Sequence, residues 1–167
     1  MKNVLILAMV AFGMTVTTAQ EISDNALGLR LGSNDGVGYE LSYQRKLGGD
    51  NNRLEADLGY RSRDEQGYDY SIIKLTGTYQ WVWQISDSDF NWYAGAGAGV
   101  VHSSWDINGG GDDSETNLLA AGVVGVEYLF PKAPIQISLD YRPELYFGSD
   151  VNDGMGNDIA LSARYRF

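Results

Sequence analysis

Residues 54–61 read Leu-Glu-Ala-Asp-Leu-Gly-Tyr-Arg, with an apolar residue at every even position and a charged or small one at every odd position. A period of two marks a β-strand with unlike faces. It excludes a helix, whose apolar stripe recurs every three or four residues. The alternation returns in eight segments, at about 26–33, 37–46, 53–62, 70–85, 90–102, 117–129, 135–142 and 159–167. Clusters of Gly, Asp, Asn, Ser and Pro separate them, and these residues favour turns. The chain is therefore all-β, and the count predicts an eight-stranded antiparallel up-and-down barrel. Turns after even-numbered strands are short: GGDNN at 48–52, SDSD at 86–89, PKAP at 131–134. Those after odd-numbered strands are expected to be loops of up to about fourteen residues. They include SRDEQGY (62–68), SSWDINGGGDDSET (103–116) and the stretch from Pro143 to Asn157.

The N-terminus has one Lys, an apolar run from Val4 to about Met14, then small residues up to Gln20. That is the layout of a secretory signal peptide. Residues 1–19 are expected to be removed after Ala19, leaving residues 20–167 as one exported domain. The apolar run is short for a spanning helix. The 167 residues include no Cys, so neither a disulfide nor a lipid-anchored cysteine is available. A net charge of −10 argues against a nucleic-acid partner, because phosphate binding needs a basic face.

Which face points inward decides the function class. The polar faces carry Arg30, Glu40, Glu55, Asp57, Arg61, Lys74, Glu127, Asp140, Arg142, Asp158, Arg164 and Arg166, six acids against six bases. A wet surface has no need of such balance. A closed interior does, since an unpaired buried charge costs several kcal/mol. The predicted interior is therefore the charged face, with Glu127 the expected partner of Arg164 and Arg166. The other face is aliphatic in mid-strand and aromatic near the ends. Trp81, Trp83, Trp92 and Tyr128, with Phe130, Tyr165 and Phe167, fall at one end; Tyr39, Tyr60, Tyr70 and Tyr141 fall nearer the other. Aromatic girdles at two lipid–water boundaries have this pattern. A soluble lipocalin-like binding barrel, with its apolar face inside, is the competing reading.

Four stretches, NWYAGAGAG (91–99), GVEYLF (125–130), SLDYRPELYF (138–147) and the terminal RYRF (164–167), make the whole mature chain resemble a known group. It is similar to the small eight-stranded outer-membrane barrels, the OmpX and OmpA-type transmembrane domains, and to the "porin family" barrels of Bacteroidetes-like Gram-negative bacteria. The resemblance implies a transmembrane β-barrel in the cell outer membrane. Its partners would be outer-membrane lipid, lipopolysaccharide and the assembly machinery, which would read Phe167, with Tyr165, as a signal. OmpA-type proteins continue into a peptidoglycan-binding domain; none is expected after Phe167.

Eight strands leave a lumen just wide enough for side chains. A structural or surface-interaction protein, monomeric and without cofactor or structural metal, is the expectation; a narrow gated ion or water channel is the alternative. The loops after odd strands hold Asp35, Asp64, Glu65, Asp69, Asp106, Asp112, Asp113, Glu115, Glu144, Asp150 and Asp153 against the single base Arg63. This acidic rim suits divalent cations shared with lipid phosphates, or basic partners. DVNDGMGND (150–158) departs from a calcium-loop pattern and reads as a solvated turn. The single His102, with Ser104 and Glu115, faintly resembles the His/Ser/Glu set of lipid A deacylase barrels. That is the catalytic alternative to a non-enzyme.

Overall fold

The computed structural model describes residues 22–33, 38–49, 51–65, 68–107, 111–148 and 154–167, with side chains described outside 63–69 and 106–112. The signal-peptide segment, Asp35, Asp150 and Asp153 lie outside the described residues. Eight strands follow in order: β1 Asn25–Gly32, β2 Tyr39–Lys46, β3 Asn52–Glu65, β4 Tyr68–Gln84, β5 Phe90–Ile107, β6 Gly111–Leu129, β7 Ile135–Phe147 and β8 Met155–Arg166. Each pairs antiparallel with its neighbours, and β1 pairs with β8 to close a barrel. Closure runs to the last residue. The Asn25 amide donates to the Phe167 carbonyl (3.0 Å) and the Phe167 amide to the Asn25 carbonyl (2.9 Å).

Alternation sets the two faces. In β3, Arg53, Glu55 and Asp57 are buried while Leu54, Leu58 and Tyr60 are exposed; in β8, Asp158, Ser162 and Arg164 are buried while Ile159, Leu161 and Tyr165 are exposed. The apolar side chains form a continuous outer band, the reverse of a lipocalin-like barrel. Such a band is stable only against lipid.

The lumen is narrow because its lining glycines let backbone and large side chains approach. A Cβ on Gly97 would sit 1.9 Å from the Gly77 carbonyl oxygen of the adjacent strand. A Cβ on Gly125 would sit 2.5 Å from the Tyr93 ring, so Gly125 makes the room that Tyr93 fills.

The two ends differ. Five residues join β2 to β3, β4 to β5 and β6 to β7. At the other end the expected long loops are mostly strand. β5 runs through 103–107 and β6 starts at Gly111, so the predicted fourteen-residue loop is a hairpin. The 62–68 segment is likewise ladder on both sides of its turn, from Ser62↔Ser71 to Glu65↔Tyr68. β5 and β6 have 18 and 19 residues, β1 and β2 only 8 each. Spanning the membrane takes roughly 9–11 residues. The wall formed by β3 to β6 therefore stands well above the rest.

Pro143 does not end β7, as its position in PELYF suggests. It lacks an N–H, so the β6–β7 ladder skips the pairs opposite Arg142 and Pro143 and resumes at Ala121↔Glu144. The strand continues to Phe147, and Glu144 is a buried lumen residue rather than a loop acid.

Candidate functional site: the charged lumen and the tall rim

Of the predicted interior residues, Arg30, Glu40, Glu55, Asp57, Lys74, Glu127, Asp140, Arg142, Asp158 and Arg164 are buried, while Arg61 and Arg166 are half-buried. Arg53 and Glu144 join them. Arg53 is in phase with Glu55 and Asp57, so strict parity along β3 would have found it. Among the described residues the fully buried charges are then seven carboxylates and five cations.

They sort into two layers. In the layer nearer the tall hairpins, Arg30 bonds Glu40 (2.8 Å), Asp140 (2.6 Å) and Asp158 (2.5 Å). Arg142 meets Glu40 (2.7 Å), Asp57 (2.9 Å), Glu144 (2.9 Å) and Asp158 (3.5 Å). The Lys74 ammonium donates to both Glu144 oxygens at 2.6 Å. Hydroxyls of Tyr93 and Tyr146 donate to Asp140 (3.2 Å) and Glu144 (2.5 Å). This layer holds five carboxylates and three cations.

The layer nearer the short turns holds two of each. Arg53 pairs with Glu127 at 2.7 Å, donates to Gln80 (2.7 Å) and lies over the Tyr93 ring, 4.7 Å from its centroid. Asn91 also donates to Glu127, at 3.1 Å. Arg164 meets Glu55 at 3.2 Å and donates to Ser42 and Ser138, each at 2.9 Å. Gln136 donates to Gln44, which donates to Glu55. The expected partnership of Glu127 with Arg164 or Arg166 is thus corrected: Arg53 takes Glu127, and Arg166 donates to the Phe130 (2.9 Å) and Ala133 (3.1 Å) carbonyls of the adjacent turn. Below Arg53, Ile22, Val82, Tyr93 and Val123 form a buried apolar cluster. Ile22 precedes β1, so a residue outside the wall contributes to the filling.

The aromatic residues gather at the short-turn end. Trp83 stacks on Trp92 (centroids 4.3 Å apart), Trp81 meets Tyr79 edge-on (5.0 Å), and Tyr128 lies between Phe90 (4.7 Å) and Phe130 (4.8 Å). Tyr165 and Phe167 stack more loosely at 6.3 Å. At the tall end Tyr70 differs from expectation. It is in phase with buried Ile72 and Lys74 and pairs with Trp105 (6.5 Å), so it belongs to the inner face of the wall rather than to a girdle.

Register aligns the acids of the tall wall. Asp64, Asp69, Asp106 and Asp112 oppose one another in one row across β3 to β6, and Ser62, Ser71, Ser104 and Ser114 form a parallel row below it. The catalytic candidates do not converge. The exposed His102 ring bonds Thr116 (Nδ1 to Oγ1, 2.9 Å), Ser104 bonds Ser71 (2.8 Å), and Glu115 opposes Ser103, on the other face of the sheet.

A closed eight-stranded wall, apolar outside and ionic inside, is the architecture of one kind of membrane protein, and residues 5–167 match the family model described as "Outer membrane protein beta-barrel domain". The chain belongs to this family. An outer membrane protein β-barrel domain resides in the cell outer membrane, with its apolar band in lipid. Its fold resembles Neisserial surface protein A, at TM-score 0.62 and 16% identity over 86% of this chain and 94% of that one. It also resembles Ail of Yersinia pestis, solved with the heparin analogue sucrose octasulfate, at 0.60 and 19% over 87% and 97%. The N-terminal barrel domain of Pseudomonas aeruginosa OprF matches at 0.62 and 14% over 89% and 100%. No curated protein matches the sequence.

Proposed function

We propose that this outer-membrane barrel is a structural and surface-interaction protein whose lumen is filled by its own side chains and passes no solute. What carries the reading is the cross-lumen ion pairing: Arg142 on β7 reaches Asp57 on β3 and Lys74 on β4 reaches Glu144 on β7, with Arg53, Tyr93 and the apolar cluster around Ile22 beneath. A path for ions would have to break several buried charge pairs at once. Residues 1–19 act as the export signal, Phe167 and Tyr165 as the terminal mark read by the assembly machinery, and the barrel works as a monomer.

The working surface is the tall wall. The aspartate positions aligned in register across β3 to β6 suit divalent cations shared with the phosphates of the lipopolysaccharide layer. The reading is non-catalytic, in keeping with the separation of His102, Ser104 and Glu115. Single-channel recording of the refolded protein in planar bilayers tests the proposal. A silent membrane is the expected result; reproducible discrete current steps would replace it with the narrow-channel reading.

A further inference from the structure

We infer that the upper layer of the lumen holds a monovalent cation beside Asp57 and Thr76. The five carboxylates of that layer face three cations, a deficit of two positive charges in a space where uncompensated charge costs several kcal/mol. The lower layer, two against two, has no such deficit. Arg142 spreads one positive charge over Glu40, Asp57, Glu144 and Asp158, so each receives only a share.

Asp158 Oδ1 and Ser162 Oγ on β8 are unpartnered too, but the β3–β4 seam sets an open carboxylate oxygen and an open hydroxyl on directly paired residues. Asp57 and Thr76 are direct cross-strand partners, 1% and 0% exposed. Asp57 gives Oδ2 to Arg142 at 2.9 Å, while its Oδ1 has no hydrogen-bond partner. The Thr76 hydroxyl has none either. Neither oxygen satisfies the other, so both are left for a third body. The inward positions around the pair are Ser42 on β2, Glu55 and Gly59 on β3, Lys74 and Thr78 on β4 and Gly99 on β5; the two glycines bring no side chain to it. Oxygen ligands suit a hard cation. Only one unpartnered carboxylate oxygen is offered on this seam, and among the described residues no set of three or more Asp, Glu, His or Cys is arranged for a metal, so a singly charged ion fits better than a divalent one.

The inference is independent of whether the barrel conducts. It is tested on the refolded protein in phospholipid vesicles. The thermal unfolding midpoint is followed while sodium chloride or potassium chloride replaces choline chloride at constant ionic strength and neutral pH. Wild type is expected to gain a saturable rise in midpoint with one of the small cations. Asp57→Asn should lose the cation dependence altogether, and Thr76→Val should need about tenfold more cation for half the rise, the equivalent of one lost ligand. Midpoints that are the same in choline, sodium and potassium would overturn the inference and leave water or a proton as the third body. A cation-dependent rise that persists undiminished in both variants would overturn the placement.

Discussion

The two ionic layers of the lumen use the same chemistry with different balance. Near the short turns, Arg53 has one carboxylate, the Gln80 amide and the Tyr93 ring, Arg164 has one carboxylate and two serine hydroxyls, and the charges cancel. Near the tall hairpins, Arg30 and Arg142 are each surrounded by three or four carboxylates. A balanced pair can be exchanged for apolar side chains with little loss, whereas a shared cation cannot be removed without stranding several acids. The lower layer is thus replaceable filling, and the upper layer is where the lumen depends on each charge.

The largest expected effect is that of Arg142→Met, which strands Asp57 and weakens the hold on Glu40, Glu144 and Asp158. It should destabilise the barrel by about 3–5 kcal/mol, read as a shift in the urea midpoint of vesicle-embedded protein. Arg53→Met should cost less, about 2 kcal/mol, because Asn91 still donates to Glu127. Equal losses in the two variants would erase the distinction between the layers. The double variant Arg53→Met/Glu127→Leu sharpens it: stability within about 1 kcal/mol of wild type is expected in the same titration, since the pair leaves together. The smallest effect on stability belongs to deletion of Phe167. It removes two terminal backbone bonds to Asn25, and so should slow assembly more than it weakens the finished barrel. The fraction reaching the heat-modifiable folded form in cells is the measurement, and an unchanged fraction would contradict the role given to Phe167.

Much of the barrel was legible in the alternation. Eight segments gave eight strands, and the phase of Glu55, Asp57, Asp140 and Arg164 against their aliphatic neighbours placed the charges inward. Where the signal failed, the physics differed. In 103–107 and 111–116 the face that is apolar lower down carries the serine and aspartate rows, so the alternation is lost and strand residues look like loop residues. Pro143 reads as a strand end, yet in an antiparallel wall its missing donor interrupts the ladder only opposite Arg142 and Pro143, and Glu144 continues the inward phase. Partner choice was the least legible. Glu127 reaches Arg53, 74 residues away in sequence, because strand tilt and stagger bring β3 and β6 together across the lumen. Alternation specifies the face of a residue but not its height around a sheared barrel.

The pairing of Asn25 with Phe167 also orders events in time. β1 and β8 are the strands furthest apart in the chain, and their ladder runs from Ala26↔Arg166 to Gly32↔Ala160. Until β8 arrives, the first seven strands form an open sheet with two bare edges, the form most prone to pair with a stranger. Contacts between distant parts of a chain are the slowest to form. The seam where the chain's two ends meet is therefore the step at which nascent protein is most exposed to capture, by an escort or by an aggregate.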